Sequence, residues 1–311
     1  MKIVIGYDGS NAANESLKNL ANAGLPPGAQ VRIVRAVVPL LPLESLAPVG
    51  DGITWYADAY KDAVANHEKT VAHAKMQAQD AVKLLKGMFP SWKITTVVTE
   101  EVPAKAILEA AEIWKADLII VGSSGWNEIT KVVIGSVADK VLSHAHCTVR
   151  LAKKGAGYKP HAPKLLIAFD GSAYALEAVR QISSRSWPKG TEARILAVSE
   201  FQLRMGDITL ALAKTMGTKK GPASPWPWMD MKLAKAVVTL QKAGIKADAA
   251  LIIDEPRRAI LSQARKFKAD TIVMGTHGLT GLKRFLLGSV SASVAAHAPC
   301  TVEVVRGKPH A

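Results

Sequence analysis

The chain has 311 residues, about twice the usual size of a compact α/β domain, which predicts two domains. Hydrophobic residues make up 49% and charged residues 21%, which excludes an intrinsically disordered chain, and no apolar run approaches the roughly 20 residues of a membrane span. The net charge of +14 is uneven, because residues 1–155 hold 17 basic and 15 acidic residues whereas residues 156–311 hold 23 and 11. This asymmetry is explained first by a positively charged, solvated surface, and second by anionic partners such as nucleotides, nucleic acid or acidic protein surfaces. The basic residues do not cluster with aromatics as nucleic-acid binding requires.

The first half alternates β-rich runs with helical patterns. In chain order the predicted strands are Lys2–Tyr7, Gln30–Val38, Trp92–Thr99, Leu118–Val121 and Cys147–Leu151, and the clearest helices are Tyr56–Gly87 and Pro103–Lys115. The apolar start is too short for a secretory signal peptide and runs directly into a turn. Together with only two cysteines, too few for a disulfide framework, this predicts a cytoplasmic location.

The second half repeats the first in the same order. KIVIGYDGSNAANESL at 2–17 returns as KLLIAFDGSAYALEAV at 164–179, and VIGSVADKVLSHAHCTV at 133–149 returns as LLGSVSASVAAHAPCTV at 286–302. The repeated strands are Lys164–Phe169, Ala193–Ser199, Ile245–Ile253, Thr271–Met274 and Cys300–Val305. We therefore predict a domain at 1–154, a Gly- and Pro-rich linker at 155–163 and a second domain at 164–311.

Alternating strands and helices indicate right-handed crossovers and a parallel sheet covered on both faces. The chain is thus predicted to be α/β, with two tandem five-stranded sandwiches that bind ligands beyond the carboxyl ends of their strands. Cys147 and Cys300 occupy equivalent places, which favours a duplicated buried thiol over a reactive pair or a metal site. The repeated His144 and His297 are predicted to lie on a helix surface or to cap its C-terminus.

Glycine spacing is the strongest functional signal. Both halves contain G-x2-G-x9-G-S after a predicted strand, as Gly122, Gly125 and Gly135-Ser136 and as Gly275, Gly278 and Gly288-Ser289. Glycines let backbone N–H groups approach a ligand, and a helix N-terminus attracts phosphate. Two copies of identical spacing favour phosphate binding over tight turns alone, although neither the P-loop nor the GxGxxG pattern is present.

A second repeated motif ends the first strand of each half, as Asp8-Gly9-Ser10 and Asp170-Gly171-Ser172. Each aspartate could accept hydrogen bonds from a ribose hydroxyl. The alternative interpretation is a turn followed by a serine helix cap. The two interpretations are compatible, because the turn and the cap use the backbone while the carboxylate can face the crevice.

The DGS motif combined with G-x2-G-x9-G-S resembles the ATP-binding branch of the universal stress protein family, over nearly the whole chain. The resemblance implies an adenine nucleotide α-hydrolase-like fold with strand order 3-2-1-4-5. It also implies that the aspartate binds ribose, that a residue late in strand two packs on adenine, and that the glycine loop holds the phosphates. The implied binding residues are Asp8, Ala36, Val121, Gly122, Gly125, Gly135, Ser136 and Val137 in the first copy, and Asp170, Val198, Met274, Gly275, Gly278, Gly288, Ser289 and Val290 in the second.

The two copies differ inside the nine-residue gap of the glycine motif. The second copy has two basic residues there, Lys283 and Arg284. The first copy has only one, Lys131 at the position of Arg284, and it has the acidic Glu128 at the position of Gly281. An acidic residue facing phosphates weakens their binding. We therefore expect the second copy to bind nucleotide more tightly.

No catalytic constellation stands out, since GxSxG, HExxH and paired C-x2-C motifs are missing from the sequence. The leading hypothesis is a stress or regulatory protein, rather than a dedicated enzyme, that binds ATP together with Mg²⁺. The alternatives are a slow ATPase or a nucleotidyl- or phosphoryl-transfer enzyme, with Asp8 and Asp170 near Mg²⁺, and an interaction scaffold. The resemblance also implies pairing of the two domains through their last strands, and it leaves a homodimer open.

Overall fold

The computed structural model describes residues 1–42, 53–123, 134–153, 161–199, 227–276 and 287–307, and every structural statement below concerns these ranges. The chain divides into two compact units, Met1–Ala21 with Pro26–Tyr158 and Asn22–Leu25 with Lys159–Ala311. Each unit is a parallel β-sheet with helices packed on it. Within the described ranges, no helix is both long enough and apolar enough to cross a bilayer.

The first unit contains five strands and four helices. The strands are β1 Lys2–Gly6, β2 Gln30–Val37, β3 Lys93–Glu100, β4 Leu118–Gly122 and β5 Thr148–Ala152, and the helices are α1 Asn11–Lys18, α2 Ile53–Met88, α3 Pro103–Trp114 and α4 Ser136–His144. The strand order is β3-β2-β1-β4-β5, with every neighbouring pair parallel. The predicted order is confirmed, and the sheet reverses its winding direction between β1 and β4.

The second unit repeats this arrangement. Its strands are β6 Lys164–Ala168, β7 Glu192–Ser199, β8 Lys246–Ile253, β9 Thr271–Gly275 and β10 Thr301–Val305, and its helices are α5 Ala173–Ser183, α6 Pro227–Lys242, α7 Pro256–Phe267 and α8 Ser289–His297. The order is β8-β7-β6-β9-β10, again entirely parallel. The duplication seen in the sequence is therefore a duplication of the complete fold.

The middle residues of the central strands are apolar because helices cover both faces of each sheet. Ile3, Val4 and Ile5 of β1 are buried, and so are Leu165, Leu166 and Ile167 of β6. The long helices pack through one line of residues at alternating spacings of four and three, which is typical of one helix face. This line is Ala74, Ala78, Ala81 and Leu85 in α2, and Met229, Leu233, Ala236 and Leu240 in α6.

The predicted element bounds differ from the observed ones by a few residues at most, and one burial prediction is wrong. Cys147 is buried as predicted, but Cys300 is only half-buried. Each cysteine stands just before its strand rather than within it, so the sheet layers do not force it inside. His144 and His297 end α4 and α8, and the Nδ1 atom of each lies 2.9 and 2.8 Å from a carbonyl four residues earlier, as expected of a helix C-terminus.

Candidate functional site

A cavity lies at the carboxyl end of the sheet in each unit, where the strand order reverses. In the first unit it has a volume of about 800 Å³ and lies over the ends of β1, β2 and β4. In the second it has a volume of about 340 Å³ and lies over the ends of β6, β7 and β9. Strand ends at such a reversal point leave a crevice, because the connecting chains depart in opposite directions.

The predicted binding residues meet around these cavities. Those lining the first are Asp8, Ala36, Val121, Gly122, Gly135, Ser136 and Val137. Those lining the second are Asp170, Val198, Met274, Gly275, Gly288, Ser289 and Val290. Gly125 and Gly278 lie outside the described residues, as do Glu128, Lys131, Lys283 and Arg284, so the expected ranking of the two copies stays a prediction.

The DGS motif forms the same turn in both units. The Oδ1 atom of Asp8 accepts a hydrogen bond from the Ser10 N–H at 3.0 Å, and the Ser10 Oγ caps α1 by accepting from the Ala13 N–H at 3.0 Å. Gly9 supplies the left-handed residue that the turn needs, with φ of +78°. The turn-and-cap interpretation is thus confirmed, and the same aspartate also lines the cavity.

In the second unit, Asp170 accepts from the Ser172 N–H at 3.0 Å, and Ser172 accepts from the Ala175 N–H at 3.2 Å. Each bond uses Oδ1 of its aspartate. The other carboxylate oxygen therefore remains available for a ligand within the crevice, without disturbing the turn.

The final Gly-Ser of each glycine motif begins a helix that faces the cavity. Gly135 is the N-cap of α4 and Gly288 that of α8, and within the described part of the chain neither end has a side-chain cap. This contrasts with α1 and α5, whose serine caps occupy an N–H group. The first N–H groups of α4 and α8 thus lack a side-chain acceptor at a positively polarised helix end, an arrangement suited to an anion.

A backbone hydrogen bond joins the end of the strand to the start of the helix in each unit. The Gly135 N–H donates to the Ser123 carbonyl at 2.8 Å, and the Gly288 N–H donates to the Thr276 carbonyl at 2.8 Å. The two ends of each glycine loop are therefore held together directly beside the cavity.

Two polar residues of the first cavity were missed by sequence reasoning, Tyr7 and Arg35. The Tyr7 hydroxyl donates to Asn14 Oδ1 at 2.8 Å, and burial, with the nearby Asp8 and Asp80 carboxylates, raises the pKa of Tyr7 above its ordinary value of 10.0. The Arg35 guanidinium donates to the Ala36 carbonyl at 2.6 Å and to Gln77 of α2 at 3.2 Å.

His67 and Thr70 of α2 also line the first cavity. They stand seven and four residues before Ala74 and so continue the buried line of α2 beyond the end of the sheet. The His67 Nε2 lies 2.8 Å from Glu100 Oε2 at the end of β3. Helix phase was the sequence signal for both residues, but the alanines of this line made it weak.

Comparison of the two repeats also points to polar residues that are particular to the first unit. The first unit has Tyr7, Asn14, Arg35 and Glu100 where the second has apolar residues. Those counterparts are Phe169, Leu176, Ala197 and Ile253. Among the described lining residues of the second cavity, Asp170 is the only one that carries charge. The two crevices thus share their backbone and differ in the polarity of one wall.

The same cavities offer few ligands for a metal ion. No group of three or more His, Cys, Asp and Glu side chains is placed to hold a metal ion within the described ranges. A single aspartate in each cavity fits a Mg²⁺ ion that is held mainly by phosphates, since Mg²⁺ commonly takes one or two protein carboxylates beside its substrate.

Comparison with known proteins agrees with this architecture. The sequence profile described as the universal stress protein family matches residues 1–153 and again 162–306. A universal stress protein of Methanocaldococcus jannaschii is 36% identical over 155 residues, covering 49% of this chain and 82% of that protein. One from Mycobacterium tuberculosis is 25% identical over 316 residues, covering 98% of this chain and 96% of that protein.

Among solved structures, a universal stress protein from Archaeoglobus fulgidus has the same fold, with a TM-score of 0.58 at 20% identity over 98% of both chains. The family profile covers almost the entire sequence in two consecutive matches, which correspond to the two repeats. The chain belongs to the universal stress protein family, as a member with two tandem copies of the domain.

Proposed function

We propose that this protein binds an adenine nucleotide, ATP with Mg²⁺, in each of its two cavities and acts as a regulatory or stress-response nucleotide sensor in the cytoplasm. The observation that carries the proposal is the repeated combination of an aspartate turn and a helix start without a side-chain cap around one crevice. Two copies of one arrangement in one chain are difficult to explain by turn geometry alone.

The ligand would span the crevice from one wall to the other. The backbone N–H groups of Ser136 and Val137 would hold phosphate at the start of α4, and the unpaired oxygen of Asp8 would accept from the ribose hydroxyls. Ala36 at the end of β2 would contact the base. Ser289, Val290, Asp170 and Val198 would take the same parts in the second unit.

A sensor is preferred to a dedicated enzyme because the described walls offer little for proton transfer at the phosphate end. The side chains at that end are mainly the serine hydroxyl and apolar groups, with the aspartate beside the ribose position. Slow hydrolysis remains the alternative, and turnover of labelled ATP by the purified protein separates the two. Release of phosphate that continues over many turnovers would favour the enzyme.

The test is native mass spectrometry of protein purified without added nucleotide, followed by titration with Mg-ATP. We expect two nucleotides per chain, one for either Gly135→Asp or Gly288→Asp, and none for the double variant, because each added carboxylate lies at a phosphate position. Gly87→Asp is the matched control, since Gly87 lies on α2 with open space around it. No binding by the unmodified chain at millimolar ATP would overturn the proposal.

A further inference from the structure

One wall of the first cavity carries a histidine that contacts a carboxylate behind it. His67 lines the cavity with only 16% of its side chain exposed, and its Nε2 lies 2.8 Å from Glu100 Oε2. Glu100 is the last residue of β3, so the pair joins helix α2 to the sheet edge. Among the described residues, Glu100 is the only hydrogen-bond partner of the ring.

We propose that His67, held by Glu100, is a specificity-determining residue that recognises the 6-amino group of adenine in the first site. This inference rests on the proposed function and assigns to one side chain the selection of the base. Ala36 contacts the base without regard to its identity, because a methyl group forms no hydrogen bond.

Because of where the His67–Glu100 pair lies, the part of the nucleotide nearest to it is the base. The strand order is β3-β2-β1-β4, and neighbouring strands lie about 4.8 Å apart, so the end of β3 lies roughly 14 Å from the end of β4. Phosphates held at Gly135 and Ser136, beyond β4, direct the opposite end of the nucleotide toward β2 and β3. That end is the base.

The Glu100 carboxylate determines which nitrogen of the His67 ring can accept a hydrogen bond. A carboxylate accepts hydrogen bonds, so the His67 Nε2 must donate to Glu100, and in the neutral ring Nδ1 then carries the lone pair. A lone pair accepts from the 6-amino group of adenine and repels the 6-carbonyl oxygen of hypoxanthine or guanine. The pair thereby discriminates between 6-amino and 6-oxo purines.

The neighbouring polar side chains of this wall already make hydrogen bonds. Thr70 Oγ1 donates to the Asn66 carbonyl at 2.9 Å, and Arg35, which can only donate, donates to Ala36 and Gln77. The ring nitrogen of His67 that does not face Glu100 can therefore accept from the 6-amino group where Arg35 cannot. In the second unit, Ile253 stands at the register of Glu100 and is 60% exposed, so this carboxylate is missing there. We expect the two sites to differ in purine selectivity.

The test compares ATP with inosine triphosphate, which differs from ATP at purine position 6. Dissociation constants for both nucleotides are measured at one fixed pH on the full chain carrying Gly288→Asp, which leaves only the first site. We expect ATP to bind about tenfold more tightly than inosine triphosphate. His67→Ala should bring the ratio near one, because it removes the hydrogen bond to ATP and the repulsion of the 6-carbonyl oxygen of inosine triphosphate.

Glu100→Ile, which copies the second unit, should lower the ratio in the same direction, because it releases the ring from its fixed tautomer. His73→Ala is the control, as His73 is exposed on the same helix. A ratio unchanged by His67→Ala, with ATP still bound, would overturn this inference and leave the proposed function intact. Loss of all nucleotide binding already in the Gly288→Asp parent would instead count against the proposed first site.

Discussion

Gly275 ends β9 beside the first turn of helix α5, and its replacement by alanine tests how tightly the second cavity is built. A Cβ on Gly275 would lie 2.7 Å from the Cβ of Tyr174 and 3.2 Å from its carbonyl carbon. Neither atom is the far end of a flexible side chain. The Gly275 carbonyl accepts from Ser291 Oγ at 2.8 Å, and the Ser172 cap fixes the first turn of α5, so both sides resist displacement.

To reach ordinary van der Waals contact, which begins near 3.4 Å, strand and helix must separate by about 0.7 Å. Forcing such a shift in a packed region costs about 1–3 kcal/mol. We expect Gly275→Ala to lower the free energy of unfolding by this amount, measured by urea denaturation. Because Gly275 lines the second cavity, native mass spectrometry should show a loss of nucleotide from that site only.

Gly6→Ala is the matched control at the end of β1. Its added Cβ would meet mainly the Cδ1 atom of Ile107, which is the tip of a flexible side chain. The second unit already carries Ala168 at this register, with Ile260 at the position of Ile107. We therefore expect a cost below about 1 kcal/mol. If Gly275→Ala destabilises the protein no more than Gly6→Ala, the steric argument is wrong.

Asp8→Asn should keep the turn, since an amide oxygen can still accept from Ser10, but weaken nucleotide binding to the first site, as calorimetry on the Gly288→Asp background would show. Because the pKa of Tyr7 is raised, the unfolded chain loses this proton first and stability falls as pH rises past 10.0; Tyr7→Phe should flatten that decline in urea titrations. Glu303→Ala removes the carboxylate that pairs with the buried Arg185, and it should lower the free energy of unfolding by about 3–5 kcal/mol. Asp248→Ala removes one partner of the more exposed Arg194–Asp248 pair and should cost under about 1 kcal/mol. Equal costs for the two variants would contradict the difference expected from burial.

The parts of the site that sequence reasoning could find are those that the backbone determines. A glycine ending a strand, a Gly-Ser beginning a helix and an Asp-Gly turn each require a particular local conformation, so Gly122, Gly135 and Asp8 could be placed together from spacing alone. The fold followed from alternating elements in the same way. Cys300 was misjudged because burial just before a strand depends on how the neighbouring bend packs, which residue patterns do not report.

His67 and Thr70, which line the first cavity from α2, could not be placed by spacing, because their positions depend on the phase and length of that helix. This helix has 36 residues, and whether His67 lies over the crevice or on the solvent face is decided by the buried line at Ala74 and Ala78. That line is formed mainly by alanines, whose weak apolar signal gave no firm phase. Pairing of His67 with Glu100 further requires the end of β3, which is 33 residues away in sequence.

The backbone hydrogen bond that joins the two residues flanking each glycine loop has a consequence for how the sequence of such a protein can diverge. Since Ser123 and Gly135 are joined by one 2.8 Å hydrogen bond, and Thr276 and Gly288 by another, residues inserted or exchanged between them need not move the strand or the helix. We therefore expect exchange of segments 124–134 and 277–287 between the two units to leave the flanking strands and helices in place. Each half of a duplicated gene could acquire its own loop chemistry while the frame that presents it is inherited unchanged.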